Sequence, residues 1–111
     1  MNSDIARAVC IDTGKLVQGD LIIGSSLNQK LKFYINYSRV YPHTVNYFTR
    51  KLDKNQKMIF SGDIVRYKGK EYEIKMDYCN NFIMGGIDFY RYCGTNVEVP
   101  EMEIVGSINK Y

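Results

Sequence analysis

The chain has 111 residues, is 45% hydrophobic and 24% charged, and carries a formal net charge of +3. This is the size and balance of one ordinary globular domain with its own core, and it excludes wholesale disorder. The charge is too small to imply a nucleic-acid partner by itself, and no stretch approaches the length of a membrane span.

Residue usage leans toward strand. Ten Tyr and five Phe stand beside two Pro and no Trp, and nine Gly supply frequent turns. Aromatic and β-branched residues suit a pleated, half-buried surface. Ile5 to Ile11 reads as a first strand, Asp12-Thr13-Gly14-Lys15 as a turn and Leu16 to Ile23 as a second strand, which together predict a hairpin. Gly24-Ser25-Ser26 ends it. Leu31, Phe33, Ile35 and Tyr37 alternate with Lys32, Tyr34 and Asn36, the period of two of a half-buried strand. Pro42 breaks the chain, and Thr44 to Thr49 is extended again. Asp53-Lys54-Asn55-Gln56-Lys57 is a polar turn, and Gly62-Asp63 marks a second turn or bulge beside Ile59-Phe60.

The clearest hairpin follows. Ile64 to Tyr67 runs into Lys68-Gly69-Lys70, and Tyr72, Ile74 and Met76 alternate on the return. Asn80-Asn81 and Gly85-Gly86 punctuate two further short strands, the second from Ile87 to Tyr92, and Glu103 to Ile108 makes the last. No long segment has helical periodicity; one helical turn fits at Ser25 to Lys30 or at Val40 to Tyr47. The pattern predicts a mostly β fold, a small barrel or sandwich of short antiparallel strands, as a single domain over 1–111. There is also an internal echo. Gly14 to Ile22 and Gln56 to Val65 both read as strand, Gly-Asp corner, strand, with the corners at Gly19-Asp20 and Gly62-Asp63.

One long segment carries a resemblance. Val40-Tyr41-Pro42-His43-Thr44-Val45-Asn46-Tyr47-Phe48-Thr49 continues through Asp53-Lys54-Asn55-Gln56-Lys57-Met58-Ile59-Phe60-Ser61-Gly62-Asp63-Ile64-Val65. This order resembles the signature of the YopX family of phage and prophage proteins: Pro-x-Thr-Val, an aromatic-Thr pair, Asp-Lys-Asn-x-Lys, then Gly-Asp-Ile-Val. The tail Ile104-Val105-Gly106-Ser107-Ile108 is similar to that family's closing segment. The match covers roughly 40–75 and 103–108. The family often has Gly where this chain has Arg50, and Asn-Gly where it has Asn55-Gln56, so those two turns should be stiffer or reshaped. The resemblance implies a mostly β fold encoded by phages or prophages. It implies no activity.

Catalytic constellations are hard to assemble. His43 is the only histidine, and Cys10, Cys79 and Cys93 lie far apart in sequence, so neither a zinc site nor a Cys–His pair is indicated. The odd cysteine count argues for reduced thiols in a cytosol, although hairpin geometry leaves room for a Cys79–Cys93 disulfide. Met1-Asn2-Ser3-Asp4 lacks the basic and apolar regions of a signal peptide. Asp20 and Asp63, at the two echo corners, are read as turn formers rather than an acid–base or magnesium pair. No phosphate-binding loop or nucleophile elbow is present. The expectation is a protein without catalytic, metal or cofactor residues, in the cytoplasm of a bacterial host.

Two surfaces stand out instead. Residues 51–75 carry seven Lys or Arg against four Asp or Glu, while 76–111 carry two against five. Arg66, Lys68, Lys70 and Lys75 interleave with Tyr67 and Tyr72, a composition that binds nucleic acid when cations hold phosphates and rings stack on bases. The other reading is a solvated strand face, with Arg66, Lys68 and Lys70 together on one side of a tight hairpin and Tyr67 on the other. The second surface is aromatic. A domain this small cannot hide fifteen aromatics, and exposed Tyr with Arg anchors protein interfaces. Tyr67, Tyr90, Tyr92, Arg91 and Arg39 are the residues expected to bind a host or phage protein, such as a bacterial regulator or defence factor. Nucleic-acid binding by the 51–75 hairpin is the alternative, and a small-molecule (nucleotide) binder or small enzyme is the second. Self-association through an edge strand is also expected.

Overall fold

The computed structural model describes residues 5–25 and 31–108. The fold is mostly β, as expected: eleven strands in antiparallel sheets, one 3-10 turn and one four-residue helix among the described residues. They group into two compact units that divide in the chain between Tyr47 and Phe48.

The first unit begins with the expected hairpin. Strand β1, Ile5–Val9, pairs antiparallel with the first half of β2, Leu16–Ser25, through the turn around Gly14. The second half of β2 pairs with β3, Leu31–Ile35, and β3 pairs with β4, Ser38–Val40. Strand β2 thus serves two partners end to end. Its Gly19-Asp20 lies inside continuous strand, and the corner expected there is absent. Gly19 is needed for space: a Cβ there would meet the Asn36 Oδ1 at 2.5 Å. That amide is held in place because Asn36 Nδ2 donates to the Gln18 carbonyl at 2.9 Å.

Tyr37 was expected to extend the alternation of β3, and it does not. Asn36 and Tyr37 have φ of 51° and 66°, the left-handed pair of a two-residue hairpin, and Tyr37 stands 96% exposed. The reversal feeds β4 back to the end of β1. The Ile11 amide donates to the Arg39 carbonyl at 2.9 Å and the Tyr41 amide to the Val9 carbonyl at 3.0 Å, flanking a Cys10–Val40 bridge. Strands β1 to β4 therefore close into a small barrel. Four strands leave little interior, which suits the buried Ala6 and Ala8 facing Ile35 and Val40, with Val17, Leu21 and Phe33 packed around them.

The 3-10 turn Pro42–Thr44 falls within one of the two segments expected to hold a helical turn. The other, over 25–30, lies outside the described residues except for Ser25, which ends β2. Thr44 ties the turn to β1: its Oγ1 accepts the Val9 amide at 2.9 Å. Strand β5, Asn46–Leu52, then begins beside β1, with Tyr47 opposite Ala6, and carries the chain into the second unit.

In the second unit β5 pairs with β6, Met58–Phe60, across a bulge between Phe48 and Leu52. Gly62, at φ 85°, turns the chain into β7, Asp63–Tyr67. Asp63 is a turn former as expected: buried, with Oδ2 accepting the Phe60 amide at 2.8 Å. The hairpin to β8, Lys70–Met76, turns on Lys68-Gly69, both left-handed. Strands β9, Phe82–Met84, and β10, Ile87–Asp88, follow, and β11, Met102–Ser107, returns beside β7, giving the order β10-β9-β8-β7-β11. Val65, Ile74, Met84, Phe89 and Met102 are fully buried, and Phe60 is nearly so.

The strand expected from Ile87 to Tyr92 stops after Asp88. Helix α1, Tyr90–Cys93, replaces its second half. Asp88 Oδ1 accepts the Tyr90 amide at 3.0 Å, and Gly94, at φ 66°, ends the turn. An Asp before the helix and a Gly after it are start and stop signals that aromatic content concealed.

Candidate protein-contact surface

The second half of β5 sets the geometry. Its bulge places Arg50 at φ 67°, a left-handed position that a residue with a Cβ adopts at a cost. Thr49, just before it, is fully buried and its Oγ1 donates to the Ile59 carbonyl at 2.7 Å. The bulge turns Arg50 outward, where it is exposed, and aims Lys51 at the loop after α1. Lys51 Nζ donates to the Asn96 carbonyl at 2.7 Å and to the Gly94 carbonyl at 3.3 Å. It also lies 5.9 Å from the centre of the Tyr90 ring, within cation–π range.

Tyr90 is the aromatic centre of this surface. Its hydroxyl donates to the Thr49 carbonyl at 2.8 Å, and its ring stands edge-on to Phe82 at 6.2 Å and tilted against Phe89 at 5.7 Å. Even so, 41% of the residue is exposed. Partial burial raises its hydroxyl pKa above the ordinary value, with the Cys93 charge adding and Arg50 opposing. Beneath it, burial pushes the Cys93 thiol up to about 11, with Lys51 opposing, and the thiol donates to the Phe89 carbonyl at 3.4 Å. A thiol held neutral in this way is a poor nucleophile.

The other expected contact residues are dispersed. Arg91 is exposed on α1 beside Tyr90. Tyr67 and Tyr92 are half-buried and packed edge-to-face at 5.3 Å, and the Tyr92 hydroxyl donates to the Met84 carbonyl at 3.3 Å. They act as core closure rather than as exposed anchors. Arg39 belongs to the first unit, exposed on β4 in register with Tyr34.

The basic hairpin does not present one face. Its two-residue turn puts Lys70 opposite Tyr67 and Arg66 opposite Glu71. Lys70 therefore shares the side of Tyr67, and Arg66 the other, against the expected grouping of Arg66, Lys68 and Lys70. Arg66 is paired with Glu71 at 3.3 Å and Glu103 at 3.6 Å. Lys68 lies 5.2 Å over the Tyr67 ring, and Lys75 stands opposite Ile83 in a recess of about 290 Å³ that also holds Glu71 and Glu73.

Catalytic groups stay apart. His43 is exposed against the Tyr41 ring at 5.6 Å. Cys10 is held below the ordinary thiol range by hydrogen bonds from the Thr13 side chain and backbone. All three cysteines are free, with Cys79 exposed. No cluster of three or more His, Cys, Asp or Glu suited to a metal ion occurs among the described residues.

Asp53 is a structural residue that sequence alone undervalued. It is 1% exposed and accepts the amides of Asn55, Lys57 and Ile104 at 2.8, 2.9 and 3.0 Å. Asp53-Lys54 thereby cover the start of β11, where the Lys54 amide also donates to the Met102 carbonyl at 2.8 Å. With β4 bridged to Cys10 and the start of β11 covered, the edge-strand route to self-association is left to short strands such as β6 and β10. A recess of about 430 Å³ opens beside Asp53, lined by Lys54, Asn96, Val97, Glu98 and Pro100.

No helix among the described residues is long and apolar enough to cross a membrane. No protein-family model matches the chain, and no curated protein matches it.

Proposed function

We propose that the protein is a non-catalytic, phage- or prophage-encoded accessory protein that works in the bacterial cytosol by binding another protein. A host regulator or a defence factor is the target class. The observation that carries this reading is Tyr90: 41% of it is exposed, yet its ring and hydroxyl are fixed by Phe82, Phe89 and the Thr49 carbonyl. A rigid aromatic loses little conformational freedom on binding, and with Arg91 beside it forms the residue pair that dominates protein interfaces. The resemblance of 40–75 and 103–108 to the YopX signature supports the phage origin. The ion pairing of Arg66 and the split faces of the basic hairpin weigh against nucleic acid.

The test is capture from a bacterial lysate on immobilised protein, with and without nuclease. A discrete protein retained in both samples, and lost with Tyr90→Ala or Arg91→Ala in folded variants, supports the reading. Capture that disappears on nuclease treatment, or that ignores both substitutions, overturns it.

A further inference from the structure

We infer that Arg50, Lys51 and Tyr90 form a receiving site for an acidic segment of the partner protein. The inference rests on the protein-binding reading above and adds the chemistry of the partner.

Charge pairing in the second unit is uneven. Arg66 is neutralised by Glu71 and Glu103, and Lys54 by Glu103 at 3.6 Å. Arg50 and Lys51 have no carboxylate within ion-pair distance among the described residues, and neither have Lys57, Lys68, Lys70, Lys75 and Arg91. Arg50 and Lys51 differ in lying next to each other beside the fixed, 41% exposed Tyr90 ring. Lys51 is half-buried, held by two carbonyl oxygens that orient its ammonium without cancelling its charge. Asp88 lies on the same surface and keeps its negative charge while its Oδ1 accepts the Tyr90 amide, so the two cations outnumber it there. Two adjacent unneutralised cations beside an exposed ring attract carboxylates flanked by an apolar side chain.

Arg50 supplies a second, independent observation. A left-handed φ of 67° favours glycine, yet the position holds a long cation turned to solvent. Strained residues of this kind gather where a ligand is contacted. Two cations are too few to track a nucleic-acid backbone, whose affinity grows with the number of phosphates neutralised, so an acidic protein segment fits better.

The probe is a fluorescein-labelled peptide of repeated Glu-Glu-Phe, titrated by fluorescence anisotropy. A Lys-Lys-Phe peptide and single-stranded oligothymidine serve as comparisons. Arg50→Gly removes the charge while relaxing the backbone, and a melting midpoint no lower than that of wild type separates weaker binding from unfolding. The expected result is binding of the acidic peptide alone, weakened roughly three- to tenfold by Arg50→Gly and more by Arg50→Glu, and unchanged by Lys15→Glu on the first unit. No binding of the acidic peptide, equal binding by Arg50→Gly, or tighter binding of oligothymidine overturns the inference. In the lysate experiment, equal capture of one protein by wild type and Arg50→Glu also overturns it and leaves the protein-binding reading standing. Capture of no protein by wild type overturns both.

Discussion

The Tyr90 hydroxyl donates a 2.8 Å hydrogen bond to the carbonyl of Thr49, forty-one residues earlier in the chain. Helix α1 is only four residues long and cannot hold its own orientation. This bond, with the Lys51 contacts to Gly94 and Asn96, docks it on β5. Tyr90→Phe keeps the ring and deletes the bond, and is expected to cost about 1 kcal/mol in urea unfolding. Tyr90→Ala also removes the ring contacts to Phe82 and Phe89 and should cost about 2–3 kcal/mol. No loss with Tyr90→Phe would show that the hydroxyl holds nothing, and equal losses in the two variants would show that the ring contacts add nothing to it.

Arg50 and Gln56 both have left-handed backbones, at φ 67° and 62°. Arg50→Gly and Gln56→Gly should each stabilise the fold by about 0.5–1 kcal/mol, the relief of left-handed strain exceeding the added freedom of the unfolded chain. Thermal melting should show both midpoints rising. A fall at either position would mean that the lost side chain contributes more than the strain.

Two loops share one design. Asp53 Oδ1 accepts the amides of Asn55 and Lys57, and Asp77 Oδ1 accepts those of Cys79 and Asn81. In each the fourth residue, Gln56 or Asn80, is left-handed at φ 62°. Asp53 differs in being buried and in binding Ile104 as well. Asp53→Ala is therefore expected to cost about 3–5 kcal/mol and Asp77→Ala about 1 kcal/mol, read as denaturation midpoints.

Gly19→Ala should destabilise the protein by about 1–3 kcal/mol, because the new methyl collides with the Asn36 amide. Asn36→Gly removes that amide and suits the left-handed turn position. Combined in a double-mutant cycle, the two changes should cost less than their sum. Strict additivity would mean that the collision is not the cause.

The Cys93 thiol has its pKa raised by burial from 9.0 to about 11. The folded state thus holds its proton more tightly than the unfolded chain. That contribution is complete below about pH 9 and is lost as pH rises through about 11, a decline of up to roughly 2–3 kcal/mol. Cys93→Ala should flatten the curve over that window, measured by urea unfolding at fixed temperature, although its stability at neutral pH is lower. Parallel curves for the two proteins would assign the alkaline loss to other groups.

Most strands and hairpins were legible in the sequence because their signals are local. Lys68-Gly69, Gly85-Gly86 and Asp12 to Lys15 are turn chemistry, and alternation such as Tyr72, Ile74, Met76 needs only neighbours in sequence. Three readings went astray. Tyr37, Tyr90 and the Gly19-Asp20 pair were judged by residue type, while strand pairing decides the conformation of Tyr37 and Gly19, and flanking residues that aromatic content concealed decide that of Tyr90. Tyr37 sits in a turn because Ser38 to Val40 pairs back on β3. Tyr90 is helical where Asp88 and Gly94 bound a turn. Gly19 lies within continuous strand because β1 and β3 share β2 between them.

The proposed contact surface was half visible. Tyr90 and Arg91 stood out as an aromatic–cation pair, and Arg50 as an exposed arginine at a position where glycine was expected, but Lys51 looked like an ordinary strand cation. What only the structure adds is the bulge that turns Arg50 outward and the two carbonyls, more than forty residues away, that hold Lys51. Composition and turn chemistry by themselves determined that this chain is mostly β and where most hairpins fall, since those depend on backbone preferences a few residues wide. Only tertiary structure decided which cations are neutralised, which tyrosines are buried and where a carboxylate is enclosed, because those depend on register, and register brings together residues that no local signal connects.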